Sequence, residues 1–145
     1  MRLALDTNVW LDWLVFDDPG IAPLKIAKND GAVEIAMDPP CRAELARVLA
    51  YPQFGLDEPM QAKLLAEADR LSSLLDALSY PPADGLPACA DPDDVKFLAL
   101  ATASKADWLI TKDNALLASG RNRNRLSTSY RIGTPEQWSR WESES

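Results

Sequence analysis

Four carboxylates stand where metal-dependent hydrolysis would need them: Asp6 closes a short apolar run, Glu44 borders an apolar helical stripe, Asp94 opens a helix and Asp113 follows another apolar run. The chain contains no histidine. This excludes Ser–His and Cys–His nucleophilic pairs, the usual zinc sites and the commonest general base, so carboxylates must carry any acid–base or metal work. Like charges gathered in one pocket raise one another's pKa, and a divalent cation relieves them. An oxygen-only donor set suits Mg²⁺ or Mn²⁺, which bind through few carboxylates, keep several waters and accept phosphate oxygens. The chemistry implied is metal-assisted hydrolysis.

Each acid also has a plainer role to weigh. Asp6 precedes Thr7-Asn8 and could simply cap the next helix. Glu44 lies three residues from Cys41 and four from Val48, so it borders the buried stripe of Cys41, Leu45, Val48 and Leu49. An inward charge there is costly without a cation, and snorkelling to solvent is the alternative. In Asp91-Pro92-Asp93-Asp94 one cap and one dipole partner would suffice. Asp94 precedes Phe97, Leu98 and Ala101 by three, four and seven residues and so heads the buried stripe, whereas Asp93 shares its side with Lys96. Asp94 is therefore the expected ligand and Asp93 an outer partner. Asp113 follows Trp108-Leu109-Ile110-Thr111, and capping the helix near Asn114 is its competing role.

The elements that must position these acids follow from the hydrophobic pattern. Leu3-Ala4-Leu5 predicts a strand buried on both faces, followed by a helix from Asn8 to Phe16 and a short helix from Ile21 to Lys28. Ala32 to Met37 predicts a second strand, and Asp38-Pro39-Pro40 opens a helix to about Ala50, proline standing where a missing N–H costs nothing. Leu56 to Leu78 reads as one long helix or a broken pair, and Tyr80 to Ala90 as a loop. A helix from the Asp91 turn to about Lys105 leads to a strand from Asp107 to Thr111. A short helix after Asp113, a basic loop through Arg125, a strand near Ser127 to Ile132 and a helix from Pro135 complete the order, with Thr134 and Gln137 as a capping box. Strands alternating with helices predict an α/β fold, a central parallel sheet flanked by helices. In such sheets the site lies at the carboxyl ends of the strands.

A chain of 145 residues, 47% apolar, suits a single domain, expected over 1–142 with a disordered tail at 143–145. Without a signal-peptide pattern or an apolar run near the ~20 residues that span a bilayer, the expectation is a soluble, cytoplasmic protein with no membrane partner. Cys41 and Cys89 form no metal or disulfide pattern and read as buried thiols. The net charge of −7 counts against a phosphate-bearing partner only until a bound cation reverses the local field. Arg121, Arg123 and Arg125 form the densest basic stretch, a candidate contact for the phosphates of a partner or else a solvated loop. Trp10 with Trp13, and Trp138 with Trp141, sit at helical spacing and read as core or dimer contacts rather than stacking platforms.

In order and context the motifs resemble the PIN-domain family of metal-dependent ribonucleases: Asp6-Thr7-Asn8 after a strand, Glu44 within Arg42-Ala43-Glu44-Leu45, Asp94 leading Phe97-Leu98-Ala99-Leu100-Ala101, and Thr111-Lys112-Asp113. Cys41 to Leu49, Tyr51-Pro52-Gln53-Phe54-Gly55-Leu56 and the Asp91 turn resemble the subgroup of toxin components of toxin–antitoxin pairs. The resemblance implies a Rossmann-like α/β/α sandwich and Mg²⁺ or Mn²⁺ held by Asp6, Glu44, Asp94 and Asp113, with Asn8 and Thr111 as accessory polar positions. It further implies endonucleolytic cleavage of single-stranded RNA, homodimers and an inhibitory antitoxin partner. Ala115 stands where similar proteins often carry a further acid, which weighs against a second tightly held metal. Two other readings stay open. Asp6 and Asp113 could serve a haloacid-dehalogenase-type phosphotransferase, although that family's second aspartate falls at Asn8, or the fold could be a non-catalytic interaction module.

Overall fold

The computed structural model describes residues 1–75, 95–122 and 130–144. Five parallel strands form one sheet in the order β3-β2-β1-β4-β5. They are β1 (Arg2–Leu5), β2 (Glu34–Met37), β3 (Ser72–Leu74), β4 (Trp108–Ile110) and β5 (Arg131–Gly133). Leu3, Ala4 and Leu5 in β1, and Leu109 and Ile110 in β4, are wholly buried. Consecutive buried residues on a strand require cover on both faces of the sheet, as expected of parallel strands in an α/β sandwich. Among the described residues seven helices supply it: α1 (Thr7–Leu14), α2 (Ala22–Asn29), α3 (Pro39–Leu49), α4 (Glu58–Leu71), α5 (Val95–Ala103), α6 (Asn114–Asn122) and α7 (Pro135–Glu144). Among the same residues no helix is long and apolar enough to cross a membrane.

Strand order creates the site. The chain builds outward from β1 through β2 to β3, then crosses back to place β4 on the other side of β1. The crevice between the carboxyl ends of β1 and β4 is therefore the switch point, where ligands bind in open α/β sheets. Register brings those ends level, with Leu5 opposite Ile110. The residues that follow, Asp6 and Thr111, consequently meet.

Aspartates recur as helix caps. Asp6, Asp38 and Asp57 accept hydrogen bonds from Val9, Cys41 and Met60 amides at the starts of α1, α3 and α4. The Thr134 and Gln137 box forms as expected, each side chain bonding the other's backbone amide. Gly133 closes β5 at a place where a Cβ would lie 2.7 Å from the Trp108 ring, so only glycine fits without displacing that ring. Trp10 and Trp138 are buried in the core, while Trp13 and Trp141 pack against it.

Three expectations change. Ser72–Leu74 is not the continuation of a helix but an edge strand, paired with Ile35–Met37 of β2. Pairing with a neighbour that is already ordered decides the state of a segment whose own sequence has no period. The helix after Asp113 is longer than expected and runs through Arg121 and Asn122, where the sequence pattern suggests a basic loop. Finally, α7 includes Ser143 and Glu144, two residues expected in the tail, with the Ser143 hydroxyl bonded to the Arg140 carbonyl. The expected loop at 80–90 lies outside the described residues, as does Cys89.

Candidate metal centre

Asp6 is 2% exposed and fully engaged. Its Oδ1 accepts the Val9 amide at 2.9 Å, and its Oδ2 accepts the Thr111 hydroxyl from the end of β4. Capping and site placement thus coexist in one side chain. Burial lifts its carboxyl from 3.8 to about 6; hydrogen bonds from Thr111 and the Val9 amide oppose burial, and the charge of Asp113 reinforces it. Thr111 is wholly buried, and besides donating to Asp6 its oxygen accepts the Asp113 amide at 3.0 Å. One hydroxyl therefore ties both aspartates together.

Asp113 caps α6, its Oδ1 accepting the Ala115 and Leu116 amides at 2.8 and 3.1 Å. Among the described residues neither Asp6 nor Asp113 forms an ion pair; Lys112, between Thr111 and Asp113, instead bonds Asp12 of α1 at 2.7 Å. The Asp12 bond and its charge hold the Lys112 ammonium above its ordinary range, with weaker help from Asp18 and Asp6.

Glu44 is differently placed. Its side chain is 12% exposed, and Oε1 lies 2.8 Å from the Lys96 ammonium and 3.6 Å from Arg47. Oε2 accepts the hydroxyl of Thr7, the residue after Asp6. Glu44 thus turns inward, as the helical stripe implied, and joins the Asp6 side through Thr7. The partner contact turns the face of α5 that carries Lys96 towards Glu44. Asp93 and Asp94 themselves lie outside the described residues, and so do Arg123 and Arg125. Arg121 falls in the last turn of α6, and Asn8 is exposed in the first turn of α1. Among the described residues no three acids, histidines or cysteines converge closely enough to hold a metal ion.

Sequence reasoning missed Asp38. It follows β2 as Asp6 follows β1, and it is wholly buried. Its Oδ1 caps α3 through the Cys41 amide at 2.9 Å, while its Oδ2 has no hydrogen-bond partner among the described residues. Burial raises its carboxyl, and the Cys41 contacts and the Lys96 charge pull it back. The signal is present, a carboxylate directly after an apolar strand, but Asp38-Pro39-Pro40 is fully accounted for as a helix start. Cys41 beside it is a buried thiol pushed up mainly by burial, hence an inert one.

The residues fit a divalent cation on the Asp6 side. Two carboxylates there repel each other with no bonded base among the described residues to balance them, and all the donors are oxygen.

Comparison with known proteins gives the family and the fold. The sequence model of the PIN domain matches residues 2–115. Among solved structures, the crystal structure of VapBC2 from Rickettsia felis bound to a DNA fragment from their promoter contains a chain of similar fold. The TM-score is 0.61 at 14% identity, covering 91% of this chain and 97% of that one. No curated protein matches the sequence.

Proposed function

The chain belongs to the PIN-domain family of nucleases, and from that premise we propose that it is an Mg²⁺- or Mn²⁺-dependent endoribonuclease acting on single-stranded RNA, the toxin of a toxin–antitoxin pair. The observation that carries this reading is the Asp6–Thr111–Asp113 arrangement at the switch point, with the Asp6 carboxyl lifted to about 6 and no base among the described residues bonded to either acid. A divalent cation bound there would supply an activated water and charge stabilisation on the phosphoryl oxygens.

In this mechanism Asp6 and Asp113 would hold the cation. Thr111 fixes the Asp6 carboxylate through its hydroxyl proton and the Asp113 backbone through its oxygen, which positions both residues before substrate arrives. Glu44, whose charge is already met by Lys96 and Arg47, would act through water, and Asp94 would complete the ligand set. Asp93 and Asn8 act as outer polar partners. Arg121, Arg123 and Arg125 hold flanking RNA phosphates. An antitoxin partner is favoured by the family's toxin-like subgroup and by a fold shared with a chain of a VapBC complex; a homodimer and a cytoplasmic setting complete the reading. The test is cleavage of labelled single-stranded RNA by purified protein with Mn²⁺, with EDTA and with Asp6→Asn. Cleavage undiminished by EDTA would refute the metal mechanism. A trapped phosphoryl group on Asp6 would restore the phosphotransferase alternative.

A further inference from the structure

A cavity of about 360 Å³ opens beside Asp113. Lys112 and Asn114, the two sequence neighbours of Asp113, both line it, and another wall comes from Pro135 at the start of α7, just past β5. In the sheet β5 lies beyond β4, whereas Glu44 belongs to the helix after β2, so the cavity extends the crevice in the direction opposite to Glu44. Ile21, Leu117 and Pro135 supply apolar walls, and the volume falls at the low end of the ~300–1,000 Å³ usual for ligand pockets. A single ring system suits such a space. Most of the polar lining is already committed. Lys112 is bonded to Asp12, Asp18 Oδ1 accepts the Gly20 amide at 2.8 Å, and the Thr134 hydroxyl accepts the Gln137 amide. Among the described residues Asn114 and Glu136 are the two polar side chains that line the cavity without a hydrogen bond or ion pair.

Asp12, Asp18 and Glu136 against the one ammonium of Lys112 make this lining a poor host for phosphate and a good one for N–H donors. With apolar walls around it, that donor is best carried on a neutral ring. Guanine meets these terms, because its N1–H and exocyclic amino group are adjacent donors that match the two oxygens of one carboxylate, and its O6 accepts from an amide or an ammonium. Adenine and cytosine place an acceptor nitrogen beside their amino group, and uracil flanks its N–H with carbonyls, so each sets a lone pair against a carboxylate. We propose that the cavity is a base subsite selecting guanine on a nucleotide next to the phosphate cleaved, with Glu136 accepting from the donor edge and Asn114 donating to O6. The identity of the bound chain rests on the proposed ribonuclease reading. Base recognition itself needs neither phosphate nor metal, so the two can fail separately.

Free nucleosides added to the ¹⁵N-labelled protein in EDTA, followed by amide resonances, test the subsite directly. Guanosine is expected to shift the Asn114 side-chain amide and the Glu136 backbone amide, and to bind about tenfold more tightly than adenosine, cytidine or uridine. Inosine, which lacks the exocyclic amino group, is expected to lose most of that advantage, and Glu136→Gln to abolish the preference. Should Glu136→Gln fail to fold, the comparison of guanosine with inosine on the unaltered protein decides, and equal binding of the two overturns the proposal. No shift at the cavity with guanosine at its solubility limit, or equal affinity for the four nucleosides, would overturn it as well. A response to arginine amide with none to guanosine would overturn it in favour of a protein partner. Selective guanosine binding by a protein that cleaves no RNA with Mg²⁺ or Mn²⁺ would support the subsite while refuting the ribonuclease reading.

Discussion

At the ends of β1 and β4, Asp6 and Asp113 meet each other's charge with no bonded base among the described residues, whereas across the site Glu44 is held by Thr7, Lys96 and Arg47. Both halves hold carboxylates, yet among the described residues only the Glu44 half forms ion pairs. The lesson is that acidity alone does not mark a metal site. The half that the protein leaves unbalanced is the half with a reason to bind a cation, and the balanced half serves to hold geometry.

The sharpest way to break this comparison is to remove charge from each half in turn. Asp6→Asn is expected to reduce Mn²⁺-dependent RNA cleavage by more than the roughly 10–100-fold that loss of an outer partner costs, because a direct ligand disappears. Steady-state cleavage rates would show it, and a reduction of only a fewfold would place the cation elsewhere.

Metal-free stability gives the next largest effect, with the opposite sign. Folded Asp6 keeps its proton up to about pH 6, while the unfolded chain releases it near 3.8. The folded state therefore binds the extra proton between these values, and stability falls as pH rises through that window, then levels off. The shift corresponds to about 3 kcal/mol of destabilisation at neutral pH and above. Asp6→Asn should remove it, so the variant is expected to melt higher than the unaltered protein at pH 8 in EDTA, with the advantage vanishing near pH 4. Saturating Mn²⁺ should reverse the order, since only the unaltered protein gains binding energy. Identical melting curves at pH 8 in EDTA would show that Asp6 carries no such strain.

For the balanced half, a double-mutant cycle of Glu44→Gln and Lys96→Met in metal-free protein is expected to give a coupling of about 1–2 kcal/mol, between exposed and fully buried pairs. Chemical denaturation would measure it. A coupling near zero would remove the contrast between the halves.

The smallest effect concerns substrate rather than the centre. Replacing Arg121, Arg123 and Arg125 by alanine should flatten the log–log salt dependence of RNA binding by about 0.7 for each phosphate no longer neutralised. The Mn²⁺-induced rise in melting temperature should stay unchanged, and equal salt slopes in the two proteins would assign the arginines to another partner.

Much of this site can be read from sequence because its signals are local. A carboxylate directly after an apolar strand singles out Asp6, one two residues beyond the apolar run ending at Thr111 singles out Asp113, and the spacing of Glu44 from Cys41 and Val48 turns it inward. The parts that are not legible depend on distant partners. Ser72–Leu74 becomes a strand through pairing with β2, which its own residues do not announce. Lys96 reads as outward, away from the buried stripe of its helix, yet its face of α5 meets a carboxylate on another helix. Asp38 is masked by its own second role, since an acid before two prolines already satisfies the grammar of a helix start. Arg121 and Asn122 continue α6 across Gly120, a residue that weakens helices and suggests a loop.

The hydrogen bond between Thr111 and Asp6 joins residues 105 positions apart. Everything that completes the first aspartate's surroundings therefore arrives late in synthesis, after β1, β2 and the helices between them have emerged. Until β4 docks against β1 there is no paired carboxylate and no crevice, only a capped helix beginning at residue 7. Contacts this remote in sequence form slowly, because loop closure must come before they can stabilise anything. The nascent chain thus carries these acids unassembled for most of its synthesis, and the parallel docking of β4 is the step that brings Thr111 and Asp113 to Asp6.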